Sequence, residues 1–102
     1  SEAELLLIHD AQKVANVVAG IRPRILKQTR FDALVSFAFN LGPASLTDPS
    51  WTICRAVHKR WGRPEAVAAA LLRYDRAGGR RLAGLTRRRQ DERRLWLNGR
   101  YS

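Results

Sequence analysis

The strongest constraint on this chain is a run of apolar residues between Thr29 and Leu41: Phe31, Leu34, Val35, Phe37, Ala38, Phe39 and Leu41. On a helix of 3.6 residues per turn these positions cover most sides of the cylinder. A helix that apolar is stable only as the centre around which other elements pack. Gly42 and Pro43 then end it, because proline cannot continue a helical ladder.

Glycine and proline also mark the other joints, and the segments between them read as helices. The first runs from Ser1 to about Gly20. Its opening Ser1-Glu2-Ala3-Glu4 has the spacing of a capping box, and Leu6, Leu7, Val14, Val17, Val18 and Ile21 fall close to one face. Ala44 to Ser50 is a turn region, with Asp48-Pro49-Ser50 favouring a break. A third helix over Ser50 to Arg60 sets Ile53, Cys54 and Val57 on one side and Arg55 and Lys59 on the other. A fourth over Pro64 to Tyr74 places Ala66, Val67, Ala70, Leu71 and Tyr74 at helical spacing, and Gly78-Gly79 makes a hinge-like turn. No segment shows the alternation of a strand pair. The expected architecture is all-α: one domain of about five helices over residues 1–102.

The last helix, about Leu85 to Asn98, has no aliphatic or aromatic residue between Leu85 and Leu95. Its inner face is expected to use Thr86, Gln90 and the methylene stems of arginines, with Leu95, Trp96 and Leu97 anchoring the far end. Arg87 with Asp91 and Arg88 with Glu92 stand at the i,i+4 spacing of surface ion pairs.

Nineteen Lys and Arg against nine Asp and Glu give a net charge of +10 and a pI near 11.4. Arginine outnumbers lysine sixteen to three, and nine of the arginines lie between positions 76 and 100. Such a field attracts nucleic acid, anionic lipid or anionic cell-wall polymers without choosing among them. Arg80, Arg81, Arg87, Arg88 and Arg94 are the candidate anion contacts. The lone Cys54 reads as a small core residue. No apolar stretch approaches the roughly 20 residues that span a bilayer. His9 and His58 stand without Cys or carboxylate at ligand spacing, so no metal site is expected, and no phosphate loop or nucleophile motif points to a cofactor.

Two blocks resemble the phage-type lysozyme (endolysin) family. One is Phe31-Asp32-Ala33-Leu34-Val35-Ser36-Phe37-Ala38-Phe39-Asn40-Leu41-Gly42, similar to that family's central C-lobe helix. The other is Ala77-Gly78-Gly79 followed by Leu82-Ala83-Gly84-Leu85-Thr86-Arg87-Arg88-Arg89 and Glu92-Arg93, similar to its terminal stretch. Thr52-Ile53-Cys54-Arg55 falls where the family has a short intervening helix. The resemblance implies that residues 1–21 match the helix joining two lobes and residues 29–102 the helical C-terminal lobe. The family's cleft binds peptidoglycan and hydrolyses the β-1,4 bond between N-acetylmuramic acid and N-acetylglucosamine. Its catalytic Glu, Asp and Thr, the last in a Gly-Tyr-Gly-His-Thr type motif, belong to the N-terminal lobe and have no counterpart here. The resemblance places Phe39 and Asn40 where the lobe faces glycan and peptide, and Arg73-Tyr74 where the family often carries Arg-Trp. From their pattern alone Phe39 and Tyr74 read as core aromatics. Asn40, a polar group closing an apolar helix, reads either as a ligand contact or as a cap.

Glycoside hydrolysis needs two opposed carboxyl groups, one kept protonated by an apolar setting. The carboxylates here read otherwise. Glu2 and Glu4 suit a helix N-terminus. Asp32 begins a helix, Asp48 a turn, and Glu65 a first helical turn. Asp75 lies beside Arg73 and Arg76, and Asp91 and Glu92 read as a solvated network among arginines. No Glu reads as embedded in apolar surroundings, so the expected chain binds peptidoglycan, is inactive alone, and works with a catalytic N-terminal lobe as partner. The alternative is a stand-alone cationic module for the cell wall or an anionic envelope surface. Nucleic acid is the weakest partner, since Arg87-Arg88-Arg89 fan over about 200° of a helix rather than forming one stripe. Host compartment is left open by the sequence.

Overall fold

A computed structural model describes residues 2–22, 24–25, 27–58 and 64–100, with side chains from residue 11 onward. The chain runs α1 (Glu2–Ala19), α2 (Gln28–Leu41), a 3₁₀ turn (Pro43–Leu46), α3 (Thr52–His58) and α4 (Pro64–Leu71). A two-stranded ladder, β1 (Arg76–Ala77) and β2 (Arg80–Arg81), then leads to α5 (Ala83–Asn98). The expected α-class and the five helices are present. The capping box at Ser1 and the residues Lys59 and Arg60 lie outside the described set.

Helix α2 packs against α1, α5 and the 3₁₀ turn, which makes it the centre of the fold. Ala33, Leu34, Phe37 and Ala38 are fully buried and Phe31, Val35 and Leu41 pack partly against the same core. Phe39 breaks the expectation of an apolar helix buried all round: it is 45% exposed. The positions that form the stripe, spaced by one, three and four, face the neighbouring helices, and Phe39 is carried to the opposite side by the helical period. From α1 come Val14 and Val18, with Ile21 just past its end; from α3 come Ile53, Cys54 and Val57; from α4 come Val67, Ala68, Ala70 and Leu71. Burial in this apolar setting pushes the Cys54 thiol pKa up. The expected burial of Cys54 is observed.

Two local differences have plain causes. Helix α4 ends at Leu71, three residues before Tyr74, and the chain turns through Arg73 and Tyr74 into the ladder. The turn at Gly78-Gly79 is a β-hairpin, not a hinge: Arg76 pairs with Arg81 and Ala77 with Arg80. Gly78 and Gly79 hold φ +59° and +80°, the two consecutive positive values that a two-residue hairpin turn with right-twisted strands requires. Two-residue strands are too short to leave an alternation pattern in the sequence.

Helix α5 departs most from expectation. Its buried residues are Arg89, Glu92, Leu95 and Trp96, spaced as one helical stripe, while Thr86 is half-buried and Gln90 is exposed. The Trp96 indole N–H donates to the Pro64 carbonyl at 2.9 Å, and its own carbonyl accepts from Arg30 Nε at 3.1 Å. The Arg30 guanidinium also lies 5.0 Å over the Trp96 ring. These contacts tie α5 to the start of α4 and to α2.

Candidate functional site

The turn after α4 sets Arg73 and Tyr74 beside Trp51, which immediately precedes α3. Together with Ser50 and Thr52 they line an open groove of about 340 Å³. The Trp51 and Tyr74 rings stand 5.4 Å apart with planes tilted by 31°. On its other side Tyr74 meets Phe37 edge-on at 5.2 Å. The Tyr74 hydroxyl accepts from the Ile53 backbone N–H at 3.2 Å, satisfying an otherwise unpaired donor in the first turn of α3. Tyr74 is thus half-buried: part core aromatic, as its spacing implied, and part groove wall. Arg73 is exposed.

Asn40 is exposed at the C-terminal end of α2, beside the exposed Phe39. Its side chain makes no hydrogen bond to another described residue, and the helix end is closed instead by Gly42, whose N–H bonds to the Ala38 carbonyl at 2.7 Å. Asn40 is therefore not the cap. The groove at Trp51 does not include Asn40 or Phe39. Trp51 itself was not singled out by sequence pattern: it sits in a turn with no periodicity to flag it.

Behind the groove lies a buried ion pair that sequence reasoning missed. Arg89 has no exposed side-chain surface and Glu92 has 2%. Arg89 Nη2 donates to Glu92 Oε2 at 3.0 Å, and Ser36 Oγ on α2 donates to the same oxygen at 2.7 Å. Arg89 Nε faces Glu92 Oε1 at 2.6 Å, too bent for a hydrogen bond, so the attraction there is coulombic. The guanidinium lies 4.9 Å over the Phe37 ring, and Nη1 makes a long 3.5 Å hydrogen bond to the Tyr74 carbonyl. Burial raises the Glu92 pKa, against the pull of Ser36 and Arg89. This corrects two expectations: Glu92 is not solvated, and one Glu does sit in a buried setting. The pairs Arg87–Asp91 and Arg88–Glu92 are replaced by Arg89–Glu92 and Arg94–Asp91, both at i,i+3. A spacing argument cannot choose i+3 over i+4 when arginines occupy three successive positions.

Asp75 is held by neither Arg73 nor Arg76. It accepts from the Thr86 hydroxyl at 2.9 Å and from Arg81 Nε at 2.9 Å, bridging the hairpin to α5. The Thr86 hydroxyl first, and Arg81 after it, hold its carboxyl below the usual range despite burial. Asp48 accepts from the Ser50 N–H at 2.9 Å, which lowers its pKa, and Asp32 accepts from Gln28 at 2.8 Å. Glu65 lies in the first turn of α4. Glu2, Glu4 and Asp10 fall where side chains are not described.

Of the candidate anion contacts, Arg80, Arg87 and Arg88 are exposed, Arg81 is engaged by Asp75, and Arg94 pairs with Asp91 at 3.3 Å. Arg81 and Arg87 share a shallow groove of about 490 Å³ with Ala83, Thr86 and Gln90. None of the four main grooves among the described residues is lined by a carboxylate. Among the described residues no group of three His, Cys, Asp or Glu could hold a metal ion, and no helix is long and apolar enough to cross a membrane.

Residues 1–92 match the family model described as phage lysozyme. The chain belongs to the phage lysozyme family. Two curated relatives are similar to this phage lysozyme chain over 98 residues: the endolysin of Bacillus phage B103 at 36% identity and that of Bacillus phage PZA at 33%, each match covering 96% of this chain and 36% of the relative. The endolysin from Escherichia coli O157:H7 phage FAHEc1 has a similar solved structure, with a TM-score of 0.78 and 27% identity, covering 99% of this chain and 64% of that one. The chain thus spans about a third of the length of the curated relatives it matches.

Proposed function

We propose that this chain is the peptidoglycan-binding helical lobe of a muramidase, and that the complete protein hydrolyses the β-1,4 bond between N-acetylmuramic acid and N-acetylglucosamine. In this reading α1 is the joint to an N-terminal lobe that brings the catalytic acids. The observation that carries it is the groove of Ser50, Trp51, Thr52, Arg73 and Tyr74, which has aromatic walls, a cation and hydroxyls but no carboxylate. An aromatic face suits the C–H side of a pyranose. The exposed guanidinium of Arg73 suits the carboxylates of a peptide stem. Asn40 offers both a donor and an acceptor for an acetamido group, next to the exposed Phe39. Hydrolysis would call for two carboxyl groups roughly 5–9.5 Å apart across the bond, and the described carboxylates are engaged in a turn (Asp48), a side-chain hydrogen bond (Asp32), ion pairs (Asp75, Asp91, Glu92) and a helical first turn (Glu65). Co-sedimentation with purified sacculi tests the reading: Trp51→Ala and Arg73→Ala are each expected to weaken binding about tenfold, the scale of a central contact. Binding unchanged in both variants would refute it.

The groove at Arg81 and Arg87, flanked by exposed Arg80 and Arg88, favours a second reading, a cationic module for anionic wall or envelope polymers. Nucleic acid fits less well, because Arg89 turns inward and is lost from the exposed run that Arg87 and Arg88 begin. Retention on a polyanion governed by this patch would fall steeply with salt and with Arg87→Ala/Arg88→Ala, leaving the Trp51 variants unaffected.

A further inference from the structure

We infer that Arg89 is a positioning residue for the groove: from inside the lobe it fixes Tyr74, and through Tyr74 the Trp51 ring, in the attitude a ligand meets. The inference rests on the groove reading above and adds to it the residue that shapes the site without touching the ligand. A fully buried arginine is a costly way to fill a core position, and a well-packed aliphatic pair in place of a buried ion pair is often neutral or stabilising. Stability alone therefore gives no reason for a guanidinium there.

Its contacts converge on Tyr74. Arg89 Nη1 reaches the Tyr74 carbonyl at 3.5 Å, and its Cζ lies 4.9 Å over Phe37, whose ring meets Tyr74 edge-on at 5.2 Å. Tyr74 stands three residues beyond the end of α4, held to it by two turn bonds, Arg73 N–H to the Ala70 carbonyl at 3.1 Å and its own N–H to the Leu71 carbonyl at 3.3 Å. Its ring is set by tertiary contacts: Arg89 behind it, Ile53 at its hydroxyl and Trp51 beside it at 5.4 Å. Arg89 is itself locked by Glu92, and Glu92 by Ser36 on α2. The planar guanidinium can serve the ring, the carboxylate and the carbonyl together; a point-like ammonium cannot.

The test uses the full chain with Arg89→Met/Glu92→Met, which removes both charges so that neither is left buried alone. One readout needs no ligand: the indole N–H resonance of Trp51, assigned with Trp51→Phe. The second is affinity for a soluble disaccharide-peptide fragment of peptidoglycan. The expected result is a double variant that melts like the native chain, a shifted or broadened Trp51 signal, and binding weaker by about tenfold, the scale on which outer-shell partners act. Arg89→Lys, which keeps a cation over Phe37, should recover part of both. A folded double variant with an unmoved Trp51 signal, or with native affinity, overturns the inference. Should the double variant not fold, Arg89→Lys carries the same indole readout, and an unmoved signal there overturns it equally. Fragment binding indifferent to Trp51→Ala in the otherwise native chain would refute the groove reading itself, and is told apart from failure of the positioning role by the ligand-free signal.

Discussion

Replacing Arg89 alone, by Met, leaves Glu92 buried without its cation and measures the cost of that unpaired charge. Met keeps most of the aliphatic volume, so the change removes charge and donors rather than opening a large cavity. Glu92, with 2% of its side chain exposed, then keeps only the Ser36 hydroxyl at 2.7 Å. Breaking a buried pair from one side costs about 3–5 kcal/mol, a large part of the 5–15 kcal/mol typical of a domain. The cost should depend on pH with a definite sign. The folded Glu92 pKa already lies above its ordinary value of 4.5, and losing the cation raises it further. A carboxyl raised on folding favours the folded state most when protonated, so the deficit of Arg89→Met should be widest at neutral pH and shrink toward pH 4.5. Urea unfolding followed by helical circular dichroism at pH 7 and pH 5 measures it, with Arg89→Met/Glu92→Met as the reference near native stability. A single-variant loss under about 1 kcal/mol at pH 7, or a double variant as unstable as the single, would refute the argument.

Asp75→Asn should flatten the acid limb of the stability profile. The Asp75 pKa is depressed on folding, so its contribution is present above its ordinary value of 3.8 and lost as pH falls through the lower folded value. Acid titration of the melting temperature reads this, and an unchanged acid limb would count against the Thr86–Asp75–Arg81 bridge. Gly78→Ala and Gly79→Ala should each cost about 1–2 kcal/mol, because both glycines sit at positive φ where a Cβ is strained; denaturant midpoints at native levels would argue against the hairpin. Trp96→Phe removes the indole donor to the Pro64 carbonyl and should cost about 1–3 kcal/mol by leaving that acceptor underserved, measured by the same unfolding curves.

Much of this fold is legible in the sequence because its signals are local. The α2 run, the Gly42-Pro43 stop and the Val14 and Val18 spacing of α1 each follow from helical period and backbone chemistry, and the resemblance carried by Phe31–Gly42 and Gly78–Arg93 names the family. What escaped is what only tertiary contacts decide. Among Arg87, Arg88 and Arg89 no local rule says which turns inward; Phe37, Ser36 and Tyr74, on other elements, select Arg89. Glu92 looked solvated because its sequence neighbours are arginines, yet the helix carries it to the face that α2 covers. Phe39 looked buried because its run is apolar, yet its own angular position faces out. Trp51 carries no pattern at all and becomes a groove wall only because Tyr74 is folded against it.

The proposed function is that this chain binds the cell wall without hydrolysing it. Purified sacculi incubated with the chain alone, followed by co-sedimentation and by assay of newly formed reducing ends, tests both halves at once. The expected result is a chain that pellets with the sacculi while reducing ends stay at the level of untreated walls. Reducing ends that rise with the amount of chain, or a chain that stays in the supernatant, would contradict it.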